Sequence, residues 1–373
     1  MRILCERRLE YEGELFICFV NFEKAFDRLK WTKLLKILKE IGIDWKDRRL
    51  IKNLYMNQTA VVRTEYGDSE PGQIGRGVRQ GCLLSPLLFS IYAEMMMVEA
   101  MDDVKGGVRV GREMLTDVKF ADDQGMVSET EEGLQNLMNA LHEKGKNYDM
   151  KINVKKTKVM RVSKDKRAPP LNITIEGEVV EQVKQFRYLG ALISEDGTCE
   201  AEIRVRIAMA KDAFNKKREL LTKRMNTSLK KKVIKTVVWS TALYGSETWT
   251  LKKTDRGRLE AFEMWCWRQM EKISWRTHTT NEDVLKLVGE KRKLLNVIWQ
   301  RKKKWLGHIL RGESLVKDVL EGRFDGKKGP GKPRTALLDD IKEGVSYQEL
   351  KHQARDREGW RSWMPRTCFR AEH

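Results

Sequence analysis

The sequence predicts an α+β fold: an antiparallel sheet first, then a helical region. Two observations carry this. Short apolar runs and one hairpin alternate with helical periodicity over the first half. From Ile203 onward the pattern is mostly helical. Charge divides in a similar way. Residues 1–150 hold 22 Lys+Arg and 25 Asp+Glu, a net of −3, whereas residues 151–373 carry +22, giving +19 overall. A half-chain at that charge repels itself unless a polyanion offsets it, and nucleic acid is a better candidate than a membrane surface.

In chain order, 15–22 is a short apolar run that reads as a buried strand. Trp31, Leu34, Leu35, Leu38 and Ile41 recur at helical spacing, and Gly42 stops that helix. A second helix covers 45–56, a strand 59–66, and a glycine-rich turn region 67–81. A Leu- and Met-rich helix follows over 83–101. Residues 116–128 read as a hairpin with Asp122 and Asp123 at its tip, and Ser128 with Glu131 predicts a capping box for the next helix. Strand signals return near 158–162 and 185–193, around an exposed basic loop at 164–170. Ile203, Ile207, Ala210 and Phe214 then form one apolar stripe on a basic helix.

A length of 373 residues suits two or three domains. No stretch approaches ~18 consecutive apolar residues, so no membrane span is expected. The first 14 residues are charged and lack an apolar core, so no secretion signal is expected, and the predicted location is nuclear and/or cytoplasmic. Six scattered cysteines form no C-x-x-C pair, and Cys266, His278 and His308 fit no zinc spacing.

Asp122 and Asp123 are the sharpest chemical feature. Adjacent carboxylates repel unless a cation lies between them, and Mg²⁺ suits hard oxygen ligands shared with phosphates. Alone, an Asp-Asp pair most often marks an exposed turn. Its company changes that reading. The segments Val20-Asn21-Phe22-Glu23-Lys24-Ala25-Phe26-Asp27, then Gly77-Val78-Arg79-Gln80-Gly81-Cys82-Leu83-Leu84-Ser85-Pro86-Leu87-Leu88-Phe89, then Phe120-Ala121-Asp122-Asp123, resemble three successive motifs of reverse transcriptases. More narrowly they resemble those of non-LTR (LINE-type, RTE/Jockey-like) retrotransposons. Asn153 to Lys158 is similar to the fourth motif and Phe186-Arg187-Tyr188-Leu189-Gly190 to the primer grip. Leu243 to Trp249, Trp305-Leu306-Gly307-His308 and Gly331-Lys332-Pro333-Arg334 look like later segments of the same elements.

The resemblance implies a right-hand polymerase palm with an antiparallel sheet and partial fingers, followed by a helical thumb and a helical basic C-terminal region. The implied domains are a palm over 1–197 with fingers at about 28–78, a thumb-like region over 198–275 and a basic region over 276–373. The implied activity is RNA-directed DNA polymerisation, with an RNA template, a DNA primer, dNTP substrates and two Mg²⁺ ions, for which Mn²⁺ can substitute. The implied catalytic set is Asp122, Asp123, the position of Asn21, and Lys156. Asp122 and Asp123 would hold metal, and Lys156 would neutralise or protonate the leaving pyrophosphate. Phe26, Arg79, Gln80 and Gly81 would contact the nucleotide. Phe186, Tyr188, Leu189 and Gly190 would position the primer end.

Two departures bear on activity. The family presents an aspartate where this chain has Asn21. An amide oxygen ligates weakly and carries no charge, a loss of several kcal/mol of transition-state stabilisation, or at least ~10³-fold in rate. Also, only about 14 residues precede the first motif strand, so an N-terminally truncated copy with missing finger strands is expected. The sequence thus predicts an impaired polymerase fragment; the alternative is a catalytically inactive nucleic-acid-binding remnant. Residues 204–235, with 12 Lys/Arg against Asp212 and Glu219, would track duplex phosphates. The tryptophans that interleave with the basic clusters are expected mainly in the core.

Overall fold

In the computed structural model, described residues are 1–223, 225–326, 334–342 and 344–363. Two compact units result: Gly13–Lys184, and the described residues from Gln185 onward together with Arg2–Glu12. Helix α1 (Arg2–Glu10) therefore belongs to the second unit. Of the motif Gly331 to Arg334, only Arg334 is among the described residues.

In the first unit the apolar run at 15–22 becomes strand β1 (Leu15–Val20), buried along its whole length. Helices α2 (Ala25–Arg28), α3 (Trp31–Glu40) and α4 (Trp45–Tyr55) follow. Gly42, at φ 85°, continues the α3 exit in a conformation that only glycine adopts at little cost.

The single strand expected over 59–66 does not form. Instead β2 (Thr59–Ala60) pairs with β5 (Gly72–Gln73), and β3 (Arg63–Thr64) pairs with β4 (Gly67–Asp68). Val61 and Val62 lie exposed between them, so no buried face holds one continuous strand in register. The chain therefore folds back on itself as an arm.

Helix α5 (Ser85–Met101) carries Pro86 in its first turn. The small hairpin β6 (Val108–Val110) and β7 (Glu113–Leu115) precedes the predicted acidic hairpin, β8 (Asp117–Phe120) and β9 (Asp123–Ser128). Helix α6 (Glu131–Asn147) is capped by Thr130, whose hydroxyl accepts the Gly133 N–H at 3.0 Å. The expected capping box on Ser128 is thus corrected by two residues: Ser128 still ends β9, and its hydroxyl accepts the Thr130 N–H instead. Strand β10 (Lys158–Val162) completes an antiparallel sheet in the order β10-β1-β9-β8. A final small hairpin, β11 (Thr174–Ile175) and β12 (Glu178–Val179), closes the unit.

One sheet face is legible from the register. Phe16, Cys18 and Val20 share it with Met126, and these residues form one core with Phe89, Tyr92 and Met96 of α5 and Leu134, Leu137 and Leu141 of α6. Residues alternate across a strand, so Ile17, Phe19 and their partners Val127 and Gly125 point the other way.

The second unit begins with the hairpin β13 (Gln185–Tyr188) and β14 (Ala191–Ser194). Helices α7 (Glu200–Lys216), α8 (Arg218–Thr222), α9 (Thr227–Val233) and α10 (Trp239–Ala242) follow, with a π-helical turn over 234–238. Then come α11 (Lys253–Met270), α12 (Asn281–Val288), α13 (Leu294–Arg311), α14 (Leu315–Glu321), α15 (Tyr347–Arg355) and α16 (Arg357–Ser362). The predicted α7 stripe is internal: Ile203, Ala210 and Phe214 are buried and Ile207 packs against their cluster. Trp239, Trp249, Trp267 and Trp299 lie in that core rather than on a surface that bases could reach. No described helix is long and apolar enough to cross a membrane.

Candidate active site

The acidic hairpin turns in two residues. Phe120 pairs with Asp123, leaving Ala121 and Asp122 as the loop, with Ala121 at φ 53°. A non-glycine residue in that region costs ~1 kcal/mol or more, so the tip holds its shape at the expense of local strain. Asp122 and Asp123 are both exposed. Burial of part of the Asp123 side chain, and then the neighbouring Asp122 charge, push the Asp123 carboxyl above the usual range.

On the neighbouring strand, Val20 pairs with Gln124 as the last rung between β1 and β9. Continued one step past that rung, the same register would bring Asn21 toward Asp123, on the sheet face opposite the one that packs on α5 and α6. The backbone of Asn21 is clamped on both sides. Its N–H donates to the Thr157 hydroxyl at 3.2 Å, and its carbonyl accepts the Asn153 N–H at 2.7 Å. Asn153 also starts the turn that carries Lys156: its carbonyl accepts the Lys156 and Thr157 N–H groups, and its side-chain oxygen accepts that of Lys156 at 3.1 Å. The first and fourth motifs are thereby locked together through backbone.

Beside this lock lies a cleft of about 560 Å³ lined by Phe22, Glu23, Lys24, Asp27, Arg28, Arg76, Asn153 and Lys156. Four of its side chains are cationic. Arg28 and Arg76 both reach Asp149, at 3.6 and 2.6 Å. Glu23 is held by Arg28 at 3.3 Å and Lys151 at 3.6 Å. Glu23 is therefore committed to cations. Arg76 had no sequence signal of its own, because its place in the cleft depends on a contact 73 residues away in sequence.

The second motif is joined to the first by backbone. Val78 N–H donates to the Phe26 carbonyl at 2.9 Å and Gly77 N–H to that of Leu29 at 2.8 Å. The Trp31 indole N–H donates to the Gly77 carbonyl at 2.7 Å. Gly77 sits at φ 88°, and a Cβ there would lie 3.0 Å from the Asp27 backbone. Arg79, Gln80 and Gly81 continue outward, exposed, with Gly81 at φ 85°. Phe26 is half-buried, its ring stacked on Phe89 with centroids 4.3 Å apart. In the second unit Phe186 and Tyr188 lie on β13, while Leu189 and Gly190 form the exposed hairpin turn.

The reverse transcriptase (RNA-dependent DNA polymerase) family matches residues 6–193. The chain belongs to this family. Among its relatives, the Pol polyprotein from the type-1 retrotransposable element R2 of Nasonia vitripennis is 25% identical over 212 residues, which cover 54% of this chain and 20% of that protein. The RNA-directed DNA polymerase from mobile element jockey of Drosophila funebris is 24% identical over 274 residues, covering 72% of this chain and 29% of that protein. These relatives agree with the non-LTR, LINE-type resemblance of the motifs, although the chain spans less than a third of either one's length. A telomerase structure from Candida tropicalis aligns with 87% of this chain and 55% of its own at 12% identity, with a TM-score of 0.41.

As for metal, the oxygen donors at the hairpin tip are the two adjacent carboxylates of Asp122 and Asp123. They suit a hard divalent cation, which would offset both the partial burial and the Asp122 charge that raise the Asp123 carboxyl. No group of three His, Cys, Asp or Glu side chains is gathered among the described residues.

Proposed function

We propose that this reverse transcriptase domain is an RNA-directed DNA polymerase module whose catalysis is impaired at Asn21. In this reading residues 1–197 act as palm with partial fingers at about 28–78, 198–275 as thumb, and 276–373 as a basic C-terminal region. The substrates are an RNA template, a DNA primer and dNTPs. The observation that supports the reading is the Val20–Gln124 rung, one residue from both Asn21 and Asp123, together with the Asn153 N–H that ties the Asn21 carbonyl to the wall of a cationic cleft.

Each residue has a role that its position supports. Asp122 and Asp123, with the Asn21 amide, would hold divalent metal, Mg²⁺ or Mn²⁺. Bound there, such ions lower the barrier to in-line displacement by stabilising the attacking and leaving oxygens. Lys24, Arg28, Arg76 and Lys156 offer charge and hydrogen bonds to a polyphosphate in the cleft, with Lys156 beside the leaving group. Phe26, fixed by its stack on Phe89, walls the sugar, while Arg79, Gln80 and Gly81 lie along the incoming base. Phe186, Tyr188, Leu189 and Gly190 hold the primer end.

Primer extension on an RNA template with Mg²⁺ tests this directly, run on the chain and on Asn21→Asp together. The expected result is a gain of at least ~10³-fold with the aspartate. Equal, robust extension by both proteins would refute the impairment. Silence from both, with salt-sensitive duplex binding retained, would favour the non-catalytic nucleic-acid-binding alternative.

A further inference from the structure

The turn of the β13–β14 hairpin is held by side chains from two distant parts of the second unit. Tyr244, just after α10, donates its hydroxyl to the Leu189 carbonyl at 3.2 Å. Arg206 of α7 donates to the adjacent Gly190 carbonyl. The guanidinium of Arg206 also lies over the Tyr244 ring, 4.3 Å from its centroid, so the two clamps brace each other. Behind them Arg206 pairs with Glu202 at 2.7 Å, both side chains buried, and Glu202 accepts the Leu192 N–H at 2.7 Å. Arg2 of α1 donates to the Leu192 carbonyl at 2.9 Å.

This arrangement is more than the turn requires. Leu189 and Gly190 are exposed, so water could satisfy their carbonyls. Both have positive φ, 49° and 74°, the geometry of a tight two-residue hairpin turn. Glycine accepts it freely, but Leu189 is strained there. A strained, exposed turn whose successive carbonyls are both occupied by side chains is fixed in direction, not merely tolerated. A buried charge pair contributes little net stability, yet it sets one geometry, because Arg206 cannot leave Gly190 without leaving Glu202 unpaired. The space is also tight: a Cβ on Gly190 would lie 3.3 Å from the Tyr244 hydroxyl.

We infer that Arg206 and Tyr244 are positioning residues for the primer terminus, acting through the Leu189–Gly190 turn. This rests on the proposed role of that hairpin as the primer grip. The pair explains why a tyrosine stands at position 244 in the Leu-Tyr-Gly-Ser-Glu-Thr-Trp segment, and why an arginine is buried in α7.

The test uses the full chain and equilibrium binding, so it does not depend on catalysis. Two probes are compared by fluorescence anisotropy: an RNA template with a recessed DNA primer, and a blunt hybrid of the same length. Tyr244→Phe removes one hydroxyl and keeps the ring. Arg206→Lys keeps the charge against Glu202 but loses the planar fork. Phe186→Ala and Leu189→Ala probe the hairpin itself. The expected result is roughly 3–10-fold weaker binding of the recessed end for Tyr244→Phe and Arg206→Lys, the effect of one hydrogen bond, with blunt-hybrid binding unchanged at a temperature where both variants remain folded. If the hairpin variants weaken recessed-end binding and the two clamp variants do not, the inference fails while the primer-grip reading stands. Should the clamp variants lower both probes' binding in step with stability, their role is structural and the inference fails. If the hairpin variants themselves leave recessed-end binding unchanged, the primer-grip reading fails and the inference falls with it.

Discussion

Val20 pairs with Gln124 on the last rung between β1 and β9, one residue from Asn21 on one strand and from Asp123 on the other. In the proposed site that register would bring Asn21, Asp122 and Asp123 together as ligands, one of them without charge. Asn21→Asp adds a third carboxylate to a place where Asp122 already opposes ionisation of Asp123. Without divalent ions the variant should unfold at a lower temperature than the parent, since like charges near a surface cost ~1 kcal/mol or more. Mg²⁺ should reverse that deficit and stabilise the variant more than the parent. Melting curves over a Mg²⁺ titration read both effects, and parallel curves for the two proteins would count against a shared ion site.

Gly77 is where the first two motifs touch. Its φ of 88° and the 3.0 Å approach of a would-be Cβ to the Asp27 backbone leave no room for a side chain. Gly77→Ala should cost about 2–3 kcal/mol, from left-handed backbone strain and displacement of α2. Urea denaturation measures it. A cost under ~0.5 kcal/mol would mean that the two segments separate freely.

How much of this was legible in the sequence follows from the range of the interactions. The α3, α4 and α5 helices and the β1 strand were readable because local periodicity and burial agree there. The order of motifs singled out Asn21, Asp122 and Asp123 as site candidates without any contact information. The 59–66 segment misled, because Val61 and Val62 have the residue type of a strand but no face to bury. Ser128 misled by offering a capping pattern while still paired in β9. Arg76, Arg206 and Tyr244 were beyond reach, since each acts on a partner chosen by the tertiary fold: Asp149, Gly190 and Leu189.

Thiol chemistry should separate Cys82 from the other described cysteines. Hydrogen bonds from the Leu84 backbone, chiefly, draw its thiol below the usual value. Burial pushes Cys5 up to about 11 and raises Cys18, Cys199 and Cys266 as well. With limiting iodoacetamide at neutral pH, mass spectrometry of the native chain should find Cys82 alkylated well before those four. Equal labelling of Cys18 or Cys266 would contradict their burial in the two cores.

A pH dependence should come from Glu263. Its carboxylate accepts the Lys293 and Leu294 N–H groups at 2.9 and 3.2 Å, at the start of α13, but burial outweighs them and raises its pKa. A raised carboxyl favours the fold at pH below the usual carboxylate value, and that contribution is lost as pH rises through the raised one. Glu263→Gln should flatten this slope. It should also lower stability near neutral pH, because the amide nitrogen cannot accept the second N–H. Nine of the eleven tryptophans lie at or beyond position 239, so denaturation followed by tryptophan fluorescence reports on this unit.

Lys302 is fully buried, and its Nζ donates to both Asp340 oxygens at 2.9 Å, to the Trp249 carbonyl at 2.7 Å and to the Leu337 carbonyl at 3.0 Å. One ammonium thus ties α13 to the ends of two loops. Removing either charge leaves the other buried without its ion-pair partner, so Lys302→Met and Asp340→Leu should each cost about 3–5 kcal/mol. Replacing both together removes that buried charge, while the Trp249 and Leu337 carbonyls must rehydrate or repack. The double variant should therefore recover most of the loss, a coupling of several kcal/mol in a double-mutant cycle. Strict additivity of the two single costs would show instead that Lys302 is held by the carbonyls, with Asp340 contributing nothing to its charge.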